Sequence, residues 1–117
     1  MAVKRIVTNI ATGSTAAAGA FYSEILDLKV VMDIGWIQTF AGEGRIAPQI
    51  SIATEGGSGT AVPDLSIEVD NFDEVHRRVV ARRLSIEYGP VHEPWGVRRF
   101  YVRDPFGRLV NIMTHEG

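Results

Sequence analysis

The 117 residues, 45% hydrophobic and 22% charged with a formal net charge of -2 and no cysteine, describe one globular domain with enough chain for a core. The interleaved charges leave no footprint for nucleic acid or an anionic membrane. The missing cysteines exclude disulfides, thiolate metal ligands and a cysteine nucleophile. No uncharged apolar run approaches the roughly 20 residues of a membrane helix. Met1 to Lys4 lead straight into a strand pattern without the apolar core of a secretory signal, so a cytoplasmic location is expected.

Lys4 to Ala11 alternates Ile6, Thr8 and Ile10 with Val7, Asn9 and Ala11, the period of a strand. Ser14 is placed to cap a following helix in which Ala17, Phe21, Ile25 and Leu28 recur at helical spacing. Lys29 to Asp33, Trp36 to Ala41 and Gln49 to Thr54 read as three strands with glycine-rich breaks between them. Gly56-Gly57-Ser58-Gly59 is expected to be a flexible linker. The same order then returns. Leu65, Ile67 and Val69 alternate with Asp64, Ser66 and Glu68, and Asn71 with Glu74 three residues on has the form of a capping box. Phe72, Val75 and Val79 stripe a second helix, and three strands close the chain. Ser14 and Asn71 lie 57 positions apart, and Thr54 and Thr114 lie 60 apart. Two βαβββ modules, over 1–55 and 63–117 with 56–62 linking them, account for the chain as a single α+β domain.

The tail from Trp95 to His115 reads as two strands joined by the turn Asp104-Pro105-Phe106-Gly107. Pro105 presets φ at the first central position, and Gly107 stands where a side chain would clash. Apolar alternation on both sides predicts an antiparallel pair with one covered and one open face. Such a tail, with Asn111 in mid-strand, resembles the end of the vicinal oxygen chelate superfamily, which holds the glyoxalases, extradiol dioxygenases and bleomycin resistance proteins. The doubled βαβββ order resembles its module order over nearly the whole chain. Phe21-Tyr22 followed by Leu26-Asp27-Leu28 resembles its "FY…LG" segment, with Asp27 where glycine is common. The resemblance implies two modules side by side in a curved open-barrel sheet, a cleft on the concave side and helices on the convex side. It also implies a homodimer.

On that fold, strand parity assigns Ile6, Thr8, Ile10, Ile50, Ile52, Leu65, Ile67, Val69, Val110 and Ile112 to the helix-packed core. Val7, Asn9, Gln49, Ser51, Asp64, Ser66, Glu68, Asn111, Met113 and His115 then face the cleft. In the metal-dependent relatives, ligands are His, Gln or Glu on the first and last strands of each module. The resemblance lays these positions on Val7, Ser51, Asp64 and Asn111. Valine cannot ligate, serine and asparagine are weak neutral donors, and a single carboxylate makes a poor transition-metal site. A metal-free protein without cofactor is expected.

The three histidines do not supply a ligand pair. His76 is expected on a solvated helix face among Arg77 and Arg78, with Arg82 and Arg83 continuing the basic run, and His92 in the Pro90 to Pro94 loop. His115 shares the parity of Asn111 and is the candidate for proton transfer. Trp36, Phe40, Trp95, Phe100 and Tyr101 are expected around the cleft, with Phe100 reading as core. Both tryptophans adjoin glycines in turns, where an indole suits packing against a ligand. In the bleomycin resistance proteins that the chain resembles, aromatic walls and acidic groups take up a planar cation, and the resemblance implies a similar cage of Trp36 and Trp95 with Asp64 and Glu68. Arg98, Arg99 and Arg103 flank the tail turn and have Glu93, Asp104 or an anionic ligand as alternative partners.

The leading expectation is therefore a small-molecule binder resembling bleomycin resistance proteins, taking an aromatic or cationic, antibiotic-like organic molecule. Its ligand site would use Trp36, Gln38, Phe40, Ser51, Asp64, Glu68, Trp95, Tyr101, Asn111 and Met113. The alternative is a glyoxalase- or dioxygenase-type lyase, isomerase or oxygenase, with an atypical metal site on Asp64 or with Glu68 and His115 as acid and base. A regulatory module without a small ligand is a third reading.

Overall fold

The computed structural model of the chain describes residues 3–44 and 48–116. The Met1-Ala2 start and the Gly117 end of the expected modules lie outside the described residues. In chain order come β1 (Val3–Ala11), α1 (Ala18–Tyr22), β2 (Lys29–Asp33), β3 (Ile37–Ala41) and β4 (Gln49–Ala53). These are followed by β5 (Leu65–Val69), α2 (Phe72–Ala81), β6 (Ile86–Glu93), β7 (Val97–Arg103) and β8 (Leu109–His115). The protein is α+β, and the βαβββ order occurs twice. Two compact units are formed: Val7–Val62, and residues 63–116 together with 3–6. Among the described residues, no helix is long and apolar enough to cross a membrane.

The later unit has strand order β5-β8-β7-β6. Ile67 lies opposite Ile112 in the parallel β5–β8 pair, and Phe100 and Val102 oppose Ile112 and Val110 in the antiparallel β7–β8 pair. One face thus collects Ile67, Val69, Phe100, Val102, Val110 and Ile112, which Phe72, Val75 and Val79 of α2 cover. Phe72 meets Phe100 edge to face at 5.4 Å. His76, four residues on, falls over the same ring at 5.4 Å and is half-buried, not solvated as expected. The capping box does not form. Glu74 turns to Arg77 and Arg78, charged partners one turn away, and Asn71 makes no side-chain cap.

The tail turn forms as its sequence predicts, with the Gly107 N–H donating to the Asp104 carbonyl at 3.1 Å, but Gly107 answers to its φ of 82° and not to a clash, since a Cβ there would meet nothing within 4 Å. Asp104 Oδ1 accepts from the N–H groups of Phe106 and Arg108, both at 2.9 Å. The expected open face is not open, however, because both faces of β8 are buried from Leu109 to Met113. β6 departs further from its sequence pattern. His92 lies within this strand rather than in a loop, exposed, with Nδ1 2.8 Å from Glu116. The β6–β7 register shifts between Tyr88 and Val91, around Gly89 at φ 80°. A Cβ on Gly89 would stand 2.5 Å from the Arg99 carbonyl oxygen, so only glycine fits.

The earlier unit has the order β2-β3-β4-β1, with β1 and β4 parallel. Its helix is much shorter than the apolar spacing predicts. α1 has five residues, an Ala17 N-cap without a side-chain bond and no buried residue. Ser14 Oγ accepts from the Ala16 N–H instead of capping a long helix. The consequence reaches β1. Ile10 is exposed, whereas Val7, assigned to the cleft face, is 6% exposed; Ile6, assigned to the core and belonging to the other unit, is 57% exposed. Ile10 and Ile52 line an open hollow of about 320 Å³ with Ala17, Ala18, Phe21 and Tyr22. Parity alone could not foresee a helix too short to cover its strand.

Asp27 adopts φ 59°, while the Leu28 N–H reaches back to the Tyr22 carbonyl at 2.9 Å. Glycine adopts such a left-handed conformation at the end of a helical segment without steric cost. The glycine-rich break is hydrogen-bonded within itself: Gly56 N–H donates to Thr60 O, Thr60 N–H to Gly57 O, and Gly59 N–H to Glu55 Oε1.

Candidate ligand-binding site

The face of β5-β8-β7-β6 opposite α2 carries the site's chemistry. In-register neighbours across it are Ser66 and Asn111, Glu68 and Met113, Tyr101 and Asn111, Arg99 and Met113, and Tyr88 and Tyr101. Of the expected residues, it brings together Glu68, Tyr101, Asn111, Met113 and His115. Asn111 Nδ2 donates to Ser66 Oγ at 3.1 Å, and its Oδ1 is buried with no partner among the described residues.

At one end of the face, Glu68 accepts from Arg5 Nε at 2.6 Å and His115 Nδ1 at 2.9 Å, with Lys4 Nζ at 3.9 Å. Burial pushes its carboxyl up. The hydrogen bonds from His115 and Arg5 and their charges outweigh this, holding it below the usual glutamate range. The two candidate proton-transfer residues are therefore in direct contact.

Arg99 and Glu93 occupy the same face and were absent from the expected site. Arg99 Nε and Nη2 lie 2.7 and 2.6 Å from Glu93 Oε2, and both side chains are 3% exposed. The Tyr88 hydroxyl donates to the same oxygen at 2.8 Å, and Arg99 Nη1 donates to the Tyr101 hydroxyl at 2.8 Å. The guanidinium lies 5.2, 5.0 and 5.0 Å from the ring centres of Tyr88, Trp95 and Tyr101. Three aromatic rings thus surround a cation that the protein supplies itself. Tyr88 and Glu93 are five residues apart and would point to opposite faces of a regular strand. The bulge at Gly89 changes the parity and brings them together. Glycine and proline within a strand pattern were the available signal.

Other expected residues take different places. Phe40 is fully buried against Tyr22, ring centres 5.7 Å apart, and pairs with Ile50 on the helix side. It belongs to the core of its unit. Gln38 shares that parity, and its Nε2 donates to Asp33 Oδ2 at 3.1 Å. The Gly35 N–H, then Gln38, holds Asp33 below its ordinary value, so Gln38 braces a hairpin turn. Ser51 Oγ lies 2.8 Å from Thr39 Oγ, both buried. The half-buried Trp36 accepts from the Thr54 N–H through its carbonyl. Asp64 is exposed before β5, where Oδ2 accepts from the Leu109 N–H at 2.9 Å. Trp95, Asp64 and Glu68 each have partners within the chain. Arg98 and Arg103 pair with Asp73 and Glu87.

The donor set does not fit the divalent metal that the superfamily implies. Val7 has no donor, Ser51 is bonded to Thr39, Asp64 brackets β8, and Asn111 is a neutral amide. Among the described residues, no three His, Asp or Glu groups are placed to hold a metal ion.

A doubled βαβββ fold with a polar face of this kind defines the class. The family model for the glyoxalase, bleomycin resistance protein and dioxygenase superfamily matches residues 4–112, and the chain belongs to that superfamily. Similar solved structures include one named as the NAD-dependent benzaldehyde dehydrogenase of Legionella pneumophila, with 19% identity, TM-score 0.76 and 96% of this chain and 100% of that one covered. A superfamily member from Vibrio splendidus has 17% identity and TM-score 0.65, covering 94% and 97%. The methylmalonyl-CoA epimerase of Streptomyces coelicolor, bound to 2-nitronate-propionyl-CoA, has 15% identity and TM-score 0.72, covering 97% and 95%. Identities this low establish the fold and leave the chemistry to each site. No curated protein matches the sequence.

Proposed function

We propose that this protein binds a small organic molecule on the β5-β8-β7-β6 face without a divalent metal, sequestering it as bleomycin resistance proteins do. The observation that carries this reading is Asn111 Oδ1, a buried acceptor on this face without a partner among the described residues. Leaving such a group unpaired costs about 1–3 kcal/mol, which a ligand N–H or O–H would offset. The aromatic box already holds Arg99, so the face favours a neutral or anionic aromatic ligand over the planar cation that the resemblance implies. The cysteine-free chain suits a reducing cytoplasm.

Titration of tryptophan emission with quinoxaline and 1-naphthylmethanol tests the reading. Asn111→Leu is expected to weaken binding at least tenfold while leaving the fold as stable or more so. Undiminished affinity in that variant would remove Asn111 from the site and the reading with it.

The hydrogen-bonded Glu68–His115 pair favours a second reading, metal-free proton transfer by a glyoxalase- or dioxygenase-type enzyme. Solvent deuterium entering a C–H position of a bound thioester or hydroxyketone, and lost in Glu68→Gln, is its signature.

The chain is further proposed to form a homodimer through its earlier unit. All five residues of β2, the last strand in its sheet order, are exposed. Val30, Val31, Met32 and Ile34 add to exposed Phe21, Ile25 and Leu26. An apolar edge strand of this kind suits burial by a second copy.

A further inference from the structure

The two modules fill the space under their helices differently, and we propose that the hollow this leaves in the earlier unit binds a small neutral aromatic molecule. Ile10 lies opposite Ile52 in the parallel β1–β4 pair, as Ile67 lies opposite Ile112 in β5–β8. The two pairs are counterparts in the repeat, 57 and 60 positions apart. In the later unit, Phe72 and Val75 share one apolar cluster with Ile67 and Ile112, and the Phe100 ring, which opposes Ile112, meets that of Phe72. In the earlier unit, Thr15 and Ala18 stand 57 positions before Phe72 and Val75. Gln38, bonded to Asp33, opposes Ile52 where Phe100 opposes Ile112. Two phenyl rings and an isopropyl group are thus replaced by short or polar side chains. What remains is the open hollow of about 320 Å³, at the lower end of the roughly 300–1,000 Å³ of ligand pockets. An apolar cavity of about 150 Å³ already takes benzene.

The lining selects the occupant. None of the described residues around the hollow is charged. At its rim, Thr12 Oγ1 donates to the Ser14 carbonyl and accepts from the Ser14 N–H, and Ser14 Oγ accepts from the Ala16 N–H. A charged ligand would give up hydration there without a partner. Phe21 and Tyr22, both in the wall, meet edge to face at 5.1 Å, with Phe21 half-exposed. A ligand ring adds a third member to that pair, over the isoleucines whose counterparts lie under Phe72. The site lies in the earlier unit and does not depend on what the β5-β8-β7-β6 face binds.

Titration with toluene, methylcyclohexane and benzylammonium tests this, followed by the isoleucine methyl resonances in nuclear magnetic resonance, with Ile10→Val and Ile52→Val to assign them. Toluene is expected to shift the Ile10 and Ile52 methyls with a dissociation constant of about a millimolar. It should bind about two- to tenfold tighter than methylcyclohexane, the difference an edge-to-face contact makes, and benzylammonium should bind weakest. Ala18→Val, which imports the residue type of Val75, is expected to weaken toluene several-fold, and Ala18→Leu to abolish its binding, both with unchanged circular dichroism. Val31→Lys, on the exposed edge strand, should leave toluene binding as it is. No methyl shift in wild type, or full affinity in both Ala18 variants, overturns the site. Loss of binding in Val31→Lys places the probe on β2 and overturns it equally. Methylcyclohexane or benzylammonium bound as tightly as toluene overturns the ligand class. A dimer that Ala18→Leu splits into single chains, with no toluene shift in wild type, would give the hollow to a second copy instead.

Discussion

Arg99 and Glu93 meet almost out of contact with water, two guanidinium nitrogens converging on one carboxylate oxygen at 2.6 and 2.7 Å. Neither charge faces burial alone, because Tyr88 and Tyr101 bond to the pair and aromatic faces flank the guanidinium. The arrangement depends on Gly89, whose bulge turns Tyr88 and Glu93 to the same side.

Removing one partner strands a buried charge. Glu93→Ala is expected to lower unfolding stability by about 3–5 kcal/mol, whereas Glu93→Leu with Arg99→Met recovers much of the loss. Urea midpoints for the single and double variants check this, and a loss under about 1 kcal/mol in Glu93→Ala would contradict the burial described.

Glu68 links stability to pH. Its carboxyl titrates lower in the folded protein than in the unfolded chain. Its contribution is therefore fully present above the unfolded value, about 4.3, and fades as pH falls through the lower folded value. The stability gap between wild type and Glu68→Gln should be widest near neutrality and narrow progressively below pH ~4. A gap that stays constant from neutral to acid pH would show that the carboxylate's charge is not what His115 and Arg5 stabilise.

Asp27 holds a left-handed conformation that glycine adopts without steric cost. Asp27→Gly is expected to stabilise the fold by about 0.5–1 kcal/mol, less whatever the freer unfolded chain takes back. Thermal unfolding followed by circular dichroism reads the sign directly. A lowered midpoint would mean that the aspartate side chain compensates for its backbone.

Dimerisation through β2 is tested at Val31, an exposed apolar residue in mid-strand. Sedimentation equilibrium of wild type should give twice the mass of one chain, and Val31→Lys should give a single chain with unchanged secondary structure. A wild type that sediments as one chain at tens of micromolar ends the proposal.

The order of elements was legible in the sequence because it rests on local chemistry. Strand alternation in Leu65 to Val69, the Phe72-Val75-Val79 stripe and the Asp104-Pro105-Phe106-Gly107 turn are each fixed by neighbours a few residues away. The repeat of that order named the superfamily before any coordinate. Parity carried the later unit, where Ser66, Glu68, Asn111 and Met113 share a face as the alternation requires.

Tertiary structure decided everything that depends on who else is nearby. Phe40 went to the core because β3 registers it against Ile50. Glu74 left its cap for two arginines, and α1 stopped at five residues, leaving Ile10 uncovered. Arg99 and Glu93 became one buried pair through a bulge that reverses parity in mid-strand. Periodicity describes which way a side chain leaves the backbone, whereas burial, charge pairing and register are set by elements distant in sequence. Glu68 was readable as a residue facing the site, but its saturation by Arg5 and His115, 63 and 47 positions away, exists only in the fold.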